Sequence, residues 1–258
     1  MKYLRIGFAG SGNVAWHLAQ DLEKAGHFIP VVYSRSYDQA HLLASQLYDT
    51  RIGESADFSE FELDVLVLAV SDDALEQLAQ DIVVGAETIV VHTSGAKSIS
   101  VLSHLGDDFG VFYPLQSFTK ERGIDLSQVP ICIEANNTRV HEVLFMMAKS
   151  LSSKVVVMDS ERRLMLHLAA VFANNFTNHM LFWAKTIAEN EDIDFQLLKP
   201  LALETVEKAF GIGPEGAQTG PARRGDSKTM QLHLSQLEAN IELTTLYKNL
   251  SKSIQFNS

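Results

Sequence analysis

A tight glycine turn near the N-terminus carries the first residues whose types and spacing suit chemistry. Residues 10–15 read Gly-Ser-Gly-Asn-Val-Ala, directly after a strand-like run and at the start of an amphipathic pattern. In such a turn two glycines let the backbone approach a pyrophosphate, and the helix that follows attracts phosphate oxygens. An ordinary tight turn is the alternative. The predicted cofactor contacts here are Gly10, Ser11, Gly12, Asn13 and Val14.

The end of the second strand-like run indicates which cofactor would bind. A carboxylate about 20 residues beyond the glycines would bind a ribose 2′-hydroxyl and repel a 2′-phosphate. The chain has Ser34, Arg35 and Ser36 there, and the fork of a guanidinium suits phosphate oxygens. The pattern therefore favours NADP(H) over NAD(H), with an arginine in a solvated loop as the alternative.

Loops after later strands are expected to meet the same ligands, because ligands bind at the carboxyl edge of such sheets. A serine hydroxyl and backbone donors could reach the nicotinamide or the substrate. Plain turn chemistry would explain each loop about equally well. The candidates are Ala69, Val70 and Ser71 for the cofactor, and Ser94, Gly95 and Gln116 for the substrate.

A polar stripe interrupts the apolar helical pattern at 160–189. At roughly 100° per residue, Asn174 lies about −20° and Asn178 about +20° from His167. Buried amides and imidazoles need partners, so we expect the stripe to face a polar cleft or a substrate. His167 is the predicted proton donor for the alkoxide that develops on hydride transfer, with Asn174 and Asn175 beside it. Hydrogen-bonded contacts between domains or subunits would explain the stripe about equally well.

The loop at 217–226 concentrates glycine, proline and positive charge. Arg223 and Arg224 are adjacent, and Asp226 can cap the helix that follows. We expect Arg224 to bind an anionic substrate group such as a carboxylate. A helix cap with a surface salt bridge is the alternative.

The hydrophobic pattern of the sequence changes near residue 158, and the two parts predict the elements that would position these residues. Up to residue 158, continuous Val, Ile and Leu runs alternate with amphipathic stretches, as in strands covered on both faces. After it, three helical patterns follow, at 160–189, 195–210 and 227–252. The predicted fold class is therefore α/β, with an NADP-binding Rossmann domain at 1–158 and an all-helical substrate domain at 159–258.

Composition excludes several classes of protein. The 258 residues are 46% hydrophobic and carry a net charge of −11, which argues against disorder, nucleic acid and anionic membranes. The single cysteine, Cys132, cannot form an internal disulfide, and no signal-peptide pattern or long apolar run is present. We expect a cytoplasmic protein with a small-molecule substrate and without a metal site.

Several stretches of the chain resemble known families. Residues 6–15 and 34–36 resemble the NADP-binding domain of F420-dependent NADP oxidoreductases and pyrroline-5-carboxylate reductases. Across its length the chain resembles bacterial proteins that join a Rossmann-like domain to a DUF2520 domain. The motifs that carry this likeness are His92–Ala96, Pro114–Phe118, His167 with Ala173–Phe176, and Thr219–Pro221 with Arg224–Asp226.

The resemblance implies a helical C-terminal domain like that of 6-phosphogluconate and β-hydroxyacid dehydrogenases, and a homodimer formed through it. In the β-hydroxyacid dehydrogenases a lysine on the equivalent helix donates the proton. His167 occupies that position here, followed by Asn174 and Asn175, and Tyr113 stands where many relatives have histidine.

The expected function is hydride exchange between NADP(H) and a small carboxylate-bearing carbonyl or imine, such as ketopantoate, in a cleft between the domains. One alternative is F420-dependent reduction of NADP. The other is an NADP(H)-binding sensor without turnover, which the missing lysine favours.

Overall fold

The computed structural model describes residues 3–256, which divide into two compact units, one up to Asn174 and one from Asn175 onward. The division predicted at residue 158 falls just after the last strand. The strands are β1 (Ile6–Ala9), β2 (Val31–Tyr33), β3 (Arg51–Ile52), β4 (Val65–Leu68), β5 (Ile89–His92), β6 (Phe109–Pro114), β7 (Ile131–Ala135) and β8 (Val155–Val157).

Ten α-helices accompany the strands in the described residues. Short 3₁₀ turns lie at Ile99–Leu102, Leu126–Gln128 and Phe195–Leu198, and a π-helical turn lies at Val171–Phe176. The α-helices are α1 (Asn13–Lys24), α2 (Tyr37–Ala44), α3 (Asp72–Asp81), α4 (Thr138–Leu151), α5 (Ser160–Ala170), α6 (Thr177–Glu189), α7 (Lys199–Ile212), α8 (Pro214–Ala217), α9 (Ser227–Gln236) and α10 (Ile241–Phe256).

The first unit contains one eight-stranded sheet with the order β3-β2-β1-β4-β5-β6-β7-β8. Every neighbouring pair runs parallel except β6 and β7. The strand order reverses between β1 and β4, which is the point where doubly wound sheets open a crevice for ligands. The predicted α/β class is thus confirmed.

The central strands are buried on both faces, which explains their continuous apolar runs. Val67 packs in one cluster with Phe8 and with Leu18 of α1, whereas the adjacent Leu66 packs in a second cluster with Leu75 of α3. Successive side chains of a strand point to opposite faces, so helices on both sides require apolar residues at every position.

The structure divides two of the predicted helical patterns. The π-helical turn interrupts 160–189, and 227–252 separates into α9 and α10. At the second break Asn240 Oδ1 accepts a hydrogen bond from the N–H of Leu243 over 2.9 Å, which caps α10. Strand β3 was not predicted because it has only two residues and no apolar run.

The π-helical turn also changes the angles from which the polar stripe was predicted. The angles between His167 and the asparagines assume 100° per residue, but residues 171–176 wind more widely than an α-helix. The spacing of 100° per residue therefore applies only as far as Ala170, and it does not give the directions of Asn174 and Asn178 relative to His167.

Within residues 3–256, none of the helices combines the length and the apolar character that crossing a membrane requires.

Candidate functional site

The glycine turn brings together the carboxyl ends of three strands. The N–H of Gly10 donates to the carbonyl of Tyr33 over 2.7 Å, and a Cβ on Gly10 would lie 2.1 Å from the carbonyl oxygen of Ala69. Gly10 also has a φ of +119°, which side-chain-bearing residues rarely adopt. Only glycine therefore lets the ends of β1, β2 and β4 meet this closely.

Helix α1 begins directly after this turn, and its N-cap is Gly12, which offers no side-chain acceptor. The first N–H groups of a helix lack partners within the helix. A phosphate oxygen placed here would satisfy them and would be attracted by the helix dipole.

A cavity of about 760 Å³ lies over the turn, within the size range of small-molecule and cofactor sites. Its walls come from the β2–α2 corner, the loop after β4, helix α3 and the start of the loop after β5. The predicted residues that line it are Gly10, Ser11, Gly12, Asn13, Val14, Ser34, Arg35, Ala69, Val70 and Ser71.

Ser36 does not line this cavity. Its Oγ accepts from the N–H of Gln39 over 3.4 Å and so caps α2. The cavity is also lined by polar residues for which no role was predicted: Gln39, Gln77, Asp73, Asp81, Thr93 and Lys120. Thr93 belongs to the His92–Ala96 motif, and no local motif marks the other five.

The loop after β5 continues from the cavity wall at Thr93 towards His167. Ser94 shapes this loop, since its Oγ accepts from the N–H groups of Ala96 and Lys97 over 3.1 and 2.9 Å. A Cβ on Gly95 would lie 2.7 Å from His167 Nδ1 and 2.9 Å from Tyr113 Cζ. The Gly95 backbone therefore lies directly against both rings.

Tyr113 and His167 form a hydrogen-bonded pair. The tyrosine hydroxyl lies 3.2 Å from His167 Nδ1, and the rings meet edge to face with centroids 6.1 Å apart. Burial raises the pKa of Tyr113 above its ordinary value, so the phenol stays protonated at neutral pH. The structure thus brings the predicted residues Gly95 and His167 together with Tyr113, for which no role was predicted.

A buried arginine holds this part of the site in place. Arg163, on α5, pairs with the carboxylate of Glu134 on β7, and its Nη2 donates to the carbonyl of Lys97 over 2.5 Å. Ser160 joins the network, because its Oγ donates to Glu134 and accepts from the N–H of Ile99 over 2.9 Å. His167 follows Arg163 by one helical turn, so the network sets where the imidazole lies.

His92 supports the same loop from below. It is fully buried, and its Nδ1 accepts from the N–H of Ser94 over 3.2 Å. Burial, followed by the positive charge of Arg163, lowers the pKa of His92 to about 4. The ring is therefore neutral at physiological pH, as an acceptor must be.

Five further predicted site residues have exposed side chains. Asn174, Asn175, Asn178 and Arg224 are exposed in this chain. Gln116 is also exposed, and its Oε1 accepts from the N–H of Ser117 over 2.8 Å. Their substrate contacts stay predictions.

Asp226 caps α9, as predicted. Its Oδ1 accepts from the N–H of Thr229 over 3.1 Å, and its Oδ2 accepts from the hydroxyl of the same residue over 2.7 Å. Hydrogen bonds to the ionised form lower the pKa of Asp226.

Family models match both parts of the chain. A Rossmann-like domain matches residues 1–116, and DUF2520, a domain of unknown function, matches residues 129–254. No curated protein matches the chain.

Solved structures resemble the chain over nearly its whole length. A "putative NADP oxidoreductase" from Bacteroides fragilis is 36% identical, with 98% of both chains covered and a TM-score of 0.92. A reductive aminase from Aspergillus terreus in complex with NADPH and ethyl levulinate is 15% identical, with 98% of this chain and 93% of that chain covered and a TM-score of 0.71. An imine reductase from Myxococcus stipitatus in complex with NADP⁺ is 14% identical, with 97% and 91% covered and a TM-score of 0.69. The last two show a shared fold.

The pKa of His92 leads to a prediction about stability. Its folded value of about 4 lies below the ordinary 6.5, so the unfolded chain takes up this proton first as the pH falls. The stabilising contribution of the neutral ring is complete above pH 6.5 and is lost as the pH falls from 6.5 to 4. The free energy of unfolding lost over this range is about 3 kcal/mol in total. Urea denaturation of the wild type and of His92→Gln, which cannot titrate, should therefore give a difference in unfolding free energy that shifts in favour of the variant across this range. A difference that is constant with pH would contradict the assignment.

Proposed function

The chain belongs to the family of proteins that join a Rossmann-like domain to a DUF2520 domain, and we propose that it is an NADP(H)-dependent oxidoreductase acting on a small carbonyl or imine that carries a carboxylate. The observation that carries this proposal is the placement of one cavity. It extends from Arg35 past the glycine turn to Thr93, two residues before the glycine that touches His167 and Tyr113. A dinucleotide site and a proton-donating pair thus share one loop.

The residues present fit a dinucleotide. Gly12 lines the cavity, and a Cβ added to it would meet nothing within 4 Å, so the backbone at the start of α1 faces open space that a close ligand could occupy. Gly12 and Asn13 would hold the pyrophosphate at the start of α1, and Arg35 would hold a 2′-phosphate at the end of β2. When bound, the nicotinamide would supply or accept the hydride.

His167 is the proposed proton donor to the oxygen or nitrogen of the substrate. Its Nδ1 is occupied by the Tyr113 hydroxyl. The pair fixes the orientation of the ring and leaves Nε2 to carry the transferred proton. Tyr113 is a positioning residue in this scheme. The proposal also includes contacts between the substrate and four exposed residues, for which no distance supports the role: Asn174, Asn175, Asn178 and Arg224.

A homodimer is the proposed assembly. Of the described residues after Asn174, only Ala188, Ala222 and Leu243 are buried. Helix α7 exposes large apolar side chains at spacings of three and four, which places them on one face: Leu203, Val206 and Phe210, the last 87% exposed. Soluble monomers rarely expose large apolar patches, and a second copy is the commonest way to cover one.

The proposed location is the cytoplasm. The sequence contains one cysteine, Cys132, which is buried and cannot form an internal disulfide. A reducing compartment suits such a chain.

The proposed reaction predicts turnover that depends on His167. NADPH oxidation, followed by absorbance across a panel of 2-keto acids and cyclic imines, should show steady turnover with at least one substrate. His167→Gln should lower kcat by about 10²- to 10⁴-fold through loss of the proton donor, and Tyr113→Phe should lower it less because the donor remains. His141→Gln, on α4 away from the cavity, is the matched control.

Two outcomes of that assay would count against the proposal. Tight NADPH binding without turnover on any substrate would identify a sensor. With F420 added to the panel, turnover between reduced F420 and NADP and none with the keto acids or imines would identify the other oxidoreductase activity.

The cofactor preference predicts a selective effect at Arg35. Arg35→Ala should raise the Kd for NADPH by about tenfold or more and leave the Kd for NADH nearly unchanged, since only NADPH carries the 2′-phosphate. Isothermal titration calorimetry measures both constants. Arg51→Ala, an exposed arginine on the neighbouring strand β3, should change neither. Equal losses for the two cofactors would contradict the role of Arg35.

The proposed dimer predicts a molecular mass of twice 28.6 kDa by light scattering. Phe210→Asp places a charge on the exposed apolar face and should shift the protein towards monomers. Tyr48→Asp changes a side chain that is 80% exposed in the sheet-containing unit and should leave the mass unaltered. A monomeric wild type at micromolar concentration would contradict this assembly.

A further inference from the structure

Lys120 lies in the loop between β6 and β7, far along the chain from the nucleotide-binding motif, yet it lines the same cavity as Arg35. Its Nζ donates to Gln39 Oε1 over 2.7 Å and lies 5.2 Å from the centre of the Trp16 ring. Both partners are uncharged. The ammonium group is therefore held in position without having its charge neutralised.

The loop that carries Lys120 is fixed to α1. His17 is buried on that helix, and its Nε2 lies 2.8 Å from the carbonyl oxygen of Thr119, the residue before Lys120. The His17 ring also packs against Phe118, with centroids 5.3 Å apart. Because two consecutive residues are anchored, Lys120 differs from an ordinary surface lysine, whose backbone is free to move.

Charge at the cavity is unevenly distributed. In the described part of the chain, neither Lys120 nor Arg35 forms an ion pair with a carboxylate. They are the two basic residues among those that line the cavity. The carboxylates at the cavity, Asp73 and Asp81, belong to α3. The arrangement suits an anionic group bound on the side of the β2–α2 corner.

The position of Gln39 identifies which anion this would be. Gln39 lies in the first turn of α2, three residues after Ser36, in the corner that Ser34, Arg35 and Ser36 form after β2. In doubly wound sheets this corner contacts the adenosine ribose, whereas the pyrophosphate lies at the glycine turn. Lys120, bonded to Gln39, is therefore at the ribose end.

We propose that Lys120 and Arg35 together bind the 2′-phosphate of NADP(H), with Lys120 exchanging its hydrogen bond to Gln39 for one to a phosphate oxygen. Arg35 would supply a planar fork and Lys120 a point charge from the opposite loop. The inference rests on the proposed function and extends phosphate recognition to a residue outside the nucleotide-binding motif. The loop between β6 and β7 thereby becomes a determinant of cofactor preference.

Binding of NADPH and NADH to the full chain, measured by calorimetry, tests this proposal. Lys120→Met keeps the length of the side chain and removes the charge, so the Kd for NADPH should rise about tenfold while that for NADH changes less than about twofold. Lys120→Arg should retain most of the preference. The affinity of the methionine variant for NADPH should also depend less steeply on salt concentration, which loss of packing alone would not produce.

Lys149→Met is the matched control. Lys149 also lies over an aromatic ring, 5.7 Å from the centre of Phe145, and donates to the carbonyl of Ser153 over 3.0 Å. It is on α4 and does not line the cavity. Substitution there should change neither Kd, and thermal unfolding should show that both variants fold.

Failure of this inference and failure of the proposed function give different results. If the wild type binds neither NADPH nor NADH, the proposed cofactor itself is wrong. If the wild type prefers NADPH and Lys120→Met leaves that preference unchanged, or weakens both cofactors equally, the role of Lys120 is overturned while the proposed function stands.

Discussion

The position of the proposed proton donor, His167, depends on the buried ion pair between Arg163 and Glu134. The Arg163 side chain is 1% exposed, and it joins Glu134 of β7, the carbonyl of Lys97 and the hydroxyl of Ser160. Removing a charge from water is costly unless a counter-ion and hydrogen bonds replace the lost hydration. The network supplies a counter-ion to Nη1 and hydrogen bonds to Nη2, while Nε is buried without a partner among the described residues. These contacts fasten α5 to the sheet and to the loop after β5.

The same charge contributes, after burial, to the shape of that loop through His92. Burial and the positive charge of Arg163 lower the pKa of His92, so its neutral ring can accept the N–H of Ser94. Ser94 in turn accepts two further N–H groups, which turns the chain so that Gly95 lies against His167. A buried ion pair thus determines the position of a titratable group four residues along the helix.

Cofactor recognition uses a separate set of constraints at the other end of the cavity. There the sheet brings the ends of β1, β2 and β4 together at glycine, and Gly10 permits an approach that any Cβ would prevent. Two basic residues line this cavity, and their positions decide where an anionic group of the cofactor would bind. Arg35 comes from the corner after β2, whereas Lys120 reaches the cavity from the loop after β6.

The sequence by itself determined the features that neighbouring residues encode. The α/β pattern of strands and helices, the glycine turn, the place of Arg35 at the cavity and the cap at Asp226 could be predicted, because apolar runs, glycine spacing and caps act over a few residues. Only the tertiary structure decided the pairs Lys120–Gln39, Tyr113–His167 and Arg163–Glu134, which are 81, 54 and 29 residues apart. It also decided the π-helical turn at Val171–Phe176, which interrupts the helix on which the polar stripe was predicted. Such contacts depend on strand order and on how loops and helices pack across the sheet, and no local pattern contains that information.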